Sequence, residues 1–244
     1  MNINDFINAN SASRFLGSSP AARTAASTDG LSKGLQKAEN RIQAQVDSTN
    51  VQLSAFGKLQ SAVSQTQTSA KAAAGLSSSA KAEDVKTAAT KLVDAFNNTI
   101  DTAKGAASAA GETATGRNAT RVGRDLTRTV TSDDSTLAAL KQIGASVNAN
   151  GKLVLDTAKF DAAQKTNATD VRNSLVKLGQ QIDKTALKEL GNNGSVGSTV
   201  SALNQRSSTL KFQQASLASL QQTTGSSSSG SNPRYFGLAA YQNG

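Results

Sequence analysis

The sequence predicts a mainly α-helical fold: long terminal helices forming a coiled-coil or bundle stalk, with a small α+β tip containing one β-hairpin. Three observations carry this expectation. Apolar residues recur every seven positions near both ends of the 244-residue chain. Proline occurs only at Pro20 and Pro233, so nothing of that kind breaks a helix between them. The Asn150-Gly151 pair sits between short apolar runs, a strong local hairpin signal.

Residues 1–30 are polar and rich in Gly, Ser and Ala, anchored by Phe6, Ile7, Phe15 and Leu16, and the composition predicts a flexible N-terminal segment. An N-terminal coil follows over 31–74. Leu35, Ile42, Thr49, Phe56, Val63 and Ala70 fall seven apart, with Ala38, Gln45, Gln52 and Leu59 three residues after the first four. Thr and Gln make the seam imperfect, yet it predicts a helix of about 40 residues. A helix that long needs a packing partner along its length. The sequence offers one over 195–224, where Val196, Leu203, Leu210 and Leu217 are again seven apart and Val200, Ser207 and Gln214 hold the offset positions. Gly191 to Gly194 breaks the chain before this C-terminal coil, and "GSSSSGSNP" from Gly225 ends it, leaving a flexible tail over 225–244.

Between the coils, 75–190 reads as a small helical domain. A Gly/Ser-rich break precedes a helix with Val85, Leu92, Ala95, Phe96, Thr99 and Ile100 on one face. Gly105 to Gly116 reads as a flexible connection. "DDSTLAALKQIG" predicts a short helix capped by Asp134 or Ser135, with Leu137 and Leu140 inward and Gly144 as its stop. The hairpin, near 147–155, comes next. Then a short helix capped by Asp156 precedes another with Val171, Leu175, Leu178, Ile182 and Ala186 inward. The hairpin's expected role is structural: closing the exposed seam at the far end of the coiled stalk.

Composition narrows the function. There is no Cys and no His, which removes disulfides, thiolate catalysis and the commonest metal ligands and acid–base groups. No nucleophile stands beside a base, and no cofactor, metal site or catalytic residue is expected. Gly111, Gly116 and Gly123 form no phosphate loop, because no strand precedes them and no Lys-Ser/Thr follows. No run of 18 apolar residues predicts a membrane span. The N-terminus lacks the basic start and apolar core of a cleavable secretion signal. The balance of 26 basic to 17 acidic residues gives a net charge of +9, which permits an acidic partner.

Two groups are candidates for partner contact. Arg117, Arg121, Arg124 and Arg128 are spaced four, three and four, so a helix places them on one face with Val122 and Leu126 on another. That stripe is a solvated face, a surface for an acidic partner or phosphate, or a nucleic-acid contact. Nucleic acid is the least favoured, since no zinc finger, known nucleic-acid motif or aromatic platform accompanies it. Tyr235, Phe236 and Tyr241 lie beyond the Ser-rich stretch, where the alternatives are docking on a neighbouring subunit, contact with an export chaperone, and a disordered tail without a partner. Asp133-Asp134 reads as a helix cap rather than a catalytic pair.

The order of elements also resembles a known family. "STLAALKQIGASVNANGKLVLDTAKFDAAQKTNATDVRNSL" holds a "D-x-T-L"-like helix start (Asp134 to Leu137) and a "G-K-L-x-L-D" hairpin (Gly151 to Asp156). It goes on through a "K-F-D-A-A" helix (Lys159 to Ala163) to Asp170-Val171. With "KLVDAFNNTID" (Lys91 to Asp101) and "STNVQLSAFGKLQSAVSQ" (Ser48 to Gln65), it is similar to the flagellar filament-capping protein family (hook-associated protein 2) over about residues 31–222. The resemblance implies a secreted structural protein that self-assembles into a homo-oligomer through Leu35, Ile42, Phe56, Val63, Val196, Leu203, Leu210 and Leu217. It implies flagellin or hook–filament junction proteins as partners. The family usually carries large outer domains between the N-terminal coil and the "VDAFN" helix, whereas here only the stretch from Ala70 to Lys91 separates them. The resemblance is therefore to a shortened form. A paralogue serving another extracellular fibre or a phage-like tail, and a basic coiled-coil nucleic-acid-binding protein, are the alternatives.

Overall fold

The computed structural model describes the backbone of residues 20–226 and the side chains of 33–223. Six helices and one two-stranded antiparallel sheet occupy these residues. They are α1 (Pro20–Ala74), α2 (Ala82–Ala110), α3 (Ala114–Thr131), α4 (Asp134–Gln142), β1 (Ala145–Val147), β2 (Leu153–Leu155), α5 (Thr157–Leu190) and α6 (Ser195–Ser226). The fold is mainly α with one hairpin, as the sequence predicts. The described residues form two compact units, one of residues 45–210 and one that combines the described residues before 45 with those from 211 onward.

Helix α1 begins at Pro20, ahead of the start expected at residue 31. Proline suits a first helical turn, where its fixed φ is already helical and its missing N–H has no intrahelical partner to lose. Residues 1–19, the rest of the segment expected to be flexible, lie outside the described residues. So do the tail after Ser226 and Tyr235, Phe236 and Tyr241 within it.

In the 45–210 unit the helices converge on one apolar core. Phe56, Leu59 and Val63 of α1, Leu92 and Phe96 of α2, Val122 and Leu126 of α3, Phe160 and Ile182 of α5 and Val196 of α6 are all buried in it. Small residues let the backbones approach. Helix α5 crosses α1 at Gly179, where a Cβ would stand 2.6 Å from the Ala70 carbonyl oxygen and 2.7 Å from the Ala74 nitrogen. Threonines bond across the remaining contacts. Thr66 reaches the Ala95 carbonyl (2.9 Å) and the Thr99 hydroxyl (2.8 Å), while Thr129 of α3 meets Thr185 of α5 at 2.7 Å. Pairing hydroxyls in this way removes the cost of burying them.

Several boundaries differ from expectation. Gly105 to Gly116 is mostly helical: α2 runs through Gly105 to Ala110, and α3 starts at Ala114. The Thr113 hydroxyl caps α3 by accepting from the Gly116 N–H (3.2 Å), so Ala-rich flanks and one cap outweigh the glycines. Helix α4 is capped by Asp133, one residue before the expected Asp134 or Ser135. The expected pair of helices after the hairpin is present as the two arms of α5, which non-helical backbone at Asn167 (φ −150, ψ 74) separates where the second was expected to begin. The Asn167 side chain accepts from the Asp170 N–H (3.3 Å) and donates to the Asp170 carboxylate, an N-cap inside the helix.

The hairpin pairs Ala145 with Leu155 and Val147 with Leu153. Its loop is the three-residue kind, closed by the Asn148 N–H to the Lys152 carbonyl and the Gly151 N–H to the Asn148 carbonyl, both 2.9 Å. Gly151 takes φ +76, which only glycine adopts at little cost. The hairpin is bonded to the flank of α2 and α3, rather than placed to close a seam's end. Asn97 of α2 pairs with Leu153 as a strand would, donating to its carbonyl and accepting from its N–H, each at 2.8 Å. Lys152 forms an ion pair with Asp101 (2.7 Å), and the Thr127 hydroxyl of α3 donates to the Gly151 carbonyl (3.2 Å).

Candidate functional site

The heptad positions fall into two environments. Within the 45–210 unit, Phe56, Val63, Val196, Leu203 and Leu210 are buried, as are Thr49, Gln52, Leu59 and Ala70. Buried Thr49 donates to the Gln45 carbonyl one turn back (2.7 Å), which satisfies its hydroxyl without a partner from another helix. The unit's other helices cover this part of the seam.

In the other unit the described parts of α1 and α6 run antiparallel. Gln214 donates to the Gln43 side-chain oxygen (2.9 Å), and Gln221 to the Glu39 carboxylate (3.1 Å). Here Leu35, Ala38, Ile42 and Leu217 are only half-buried. Two helices bury one stripe of each, and a side chain in that stripe stays open along its edges. Phe212 points away from it and is 74% exposed. The heptad count passes over Phe212, which falls two residues after Leu210; a large aromatic off both the seam and its offset positions is the sequence signal that would have found it.

Helix α3 carries the arginine stripe. Gly116, Ala119, Val122, Leu126 and Val130 face the core, and Arg117, Arg121, Arg124 and Arg128 are all exposed on the other side. The four have different surroundings. Arg117 turns back to the Glu112 carbonyl (3.0 Å) at the start of the helix. Arg124 and Arg128 line a cleft of about 610 Å³ between α2, α3 and the hairpin loop, which Lys104 also lines. The Lys104 ammonium donates to the Asn150 carbonyl (3.3 Å), which ties the hairpin tip to α2.

The acids have structural duties. Asp133 accepts from the Thr136 hydroxyl (2.6 Å) and from the Ser135 N–H (3.0 Å) and hydroxyl (2.9 Å). These bonds, that from Thr136 above all, hold its carboxyl well below the usual carboxylate range. Lys177 of α5 stands 3.4 Å away. Asp156, capping α5, is lowered chiefly by the Lys159 N–H. Glu189 is a buried residue that sequence reasoning missed. At the α5–α6 corner its carboxylate accepts from the Ser195 N–H (3.1 Å), satisfying a backbone donor in the first turn of α6.

Among the described residues no group of His, Cys, Asp or Glu is placed to hold a metal ion, and no helix is long and apolar enough to cross a membrane. Neither a curated protein nor a solved structure matches the chain. One family model does, that of the flagellar hook-associated protein 2 C-terminus, over residues 21–236, from the start of α1 to beyond the end of α6. The chain belongs to the flagellar hook-associated protein 2 family, and it is an extracellular structural protein of the bacterial flagellum.

Proposed function

We propose that this protein works in the manner of a filament cap, self-assembling through its paired terminal helices and meeting flagellin or hook–filament junction proteins while a filament grows. One observation carries the reading. The antiparallel pair formed by α1 and α6 leaves Leu35, Ala38, Ile42 and Leu217 half-buried and Phe212 74% exposed. Helices from further copies would cover these side chains, at about 1.5–3 kcal/mol for each large one fully buried. Membership of a hook-associated family supports the same assignment.

The mechanism is mechanical and makes no covalent change. An oligomer holds the growing tip, its helices exchange contacts with incoming subunits, and the tail with Tyr235, Phe236 and Tyr241 serves an export chaperone or a neighbouring copy. Fluorescent labelling of the protein on intact cells tests this. Label at filament tips or hook–filament junctions, reduced by Phe212→Asp without loss of secretion, is the expected result. Label on another fibre, or none at the flagellum, would contradict it.

A further inference from the structure

The cleft beside the hairpin is lined entirely by residues of the 45–210 unit, and by none from the half-covered terminal pair. Its floor is apolar or small, formed by Ile100, Ala103, Ala107 and Gly123. Its rim carries Lys104, Arg124 and Arg128, and no carboxylate lines it. Among the described residues neither arginine is in an ion pair, although Asp125 is on the same helix. Residue 123 of this floor is a glycine whose backbone does not demand one. A Cβ there would meet Ala103 Cβ at 3.6 Å and Ile100 Cδ1 at 3.9 Å, which is ordinary contact. Glycine inside a helix is unfavourable relative to alanine. What it provides at this position is depth under two unpaired guanidinium groups.

We propose that this cleft binds an acidic peptide segment of another protein, with its carboxylates on Arg124 and Arg128 and a small apolar side chain over Gly123. Charge selects the class of partner. Three cations without a lining acid attract carboxylates, and guanidinium groups bind them with two parallel hydrogen bonds. Single-stranded nucleic acid would need stacking platforms, and no aromatic side chain lines the cleft.

The test is fluorescence anisotropy of the full chain with three labelled probes. These are a helical peptide of alternating Glu and Ala blocks, its Gln counterpart, and an oligonucleotide of matching charge. The acidic peptide is expected to bind and its Gln counterpart not. The double variant R124Q/R128Q is expected to weaken binding roughly tenfold or more. Gly123→Ala, which keeps every charge and fills the floor beneath the guanidinium groups with ordinary contacts, should weaken it several-fold without lowering the thermal midpoint. Replacing Lys165 and Lys184, exposed on α5, by Gln should change little. Equal loss from Lys165/Lys184 and Arg124/Arg128 replacement would overturn the proposal in favour of general attraction to a basic surface. Unchanged binding in Gly123→Ala would overturn the role of the cleft. Tighter binding of the oligonucleotide, lost in the same variants, would overturn the peptide as ligand.

Discussion

Two glycines in this protein predict opposite outcomes for the same substitution. At Gly179 a methyl group would press on the α1 backbone at 2.6 Å, so Gly179→Ala must separate two helices and should destabilise by about 1–3 kcal/mol. At Gly123 the methyl meets only ordinary contacts, and Gly123→Ala should stabilise by about 0.5–1 kcal/mol. Urea unfolding of the two variants checks the pair; equal shifts would show that helix propensity alone governs both sites. Asp133 gives a pH prediction. Its folded-state value is depressed, so its contribution is fully present above about pH 4, the ordinary Asp value, and is lost as pH falls from there through the depressed value. The stability gap between wild type and Asp133→Ala should be constant near neutrality and narrow in acid. A gap of the same size at pH 7 and pH 2 would contradict it. In the sequence Asp133 and Asp134 were legible as a cap, though not which of them made it. Glu189 was not legible at all: an acid near the end of a helix reads as solvated until the corner to α6 folds over it.

Among the elements, those with a strong period or a turn signature were the legible ones. The heptads gave α1 and α6, and Asn150-Gly151 gave the hairpin. Its place was not legible, because the residue that fixes it, Asn97, is a polar position on a helix far away in sequence. Asn97→Ala removes both bonds to Leu153 and leaves that residue's N–H and carbonyl without them. The expected cost is about 1–3 kcal/mol, with faster amide exchange over β1 and β2 than in α5. Uniform exchange changes across both regions would show that Asn97 supports the core generally and does not hold the hairpin. The boundary between α2 and α3 was misjudged for a related reason. Glycine content suggested a loose connection, whereas the Ala-rich run to Ala110 and the Thr113 cap leave only Gly111 to Thr113 between the helices.

At the scale of the whole molecule, the fold places most of its apolar seam inside the 45–210 unit and leaves the rest half-covered in the terminal pair. The net charge of +9 opposes association at long range, and apolar contact at Phe212 favours it at short range. The two depend differently on salt. Screening weakens the repulsion and leaves the contact, so association should strengthen as ionic strength rises. A protein held together by ion pairs would do the reverse. The most direct test is light scattering or mass photometry of the purified chain over a concentration series at low and high salt, with Phe212→Asp alongside. A discrete, concentration-dependent oligomer, favoured by salt and weakened by Phe212→Asp, is the expected result. A monomer at every concentration and salt, unaltered by that substitution, would contradict it.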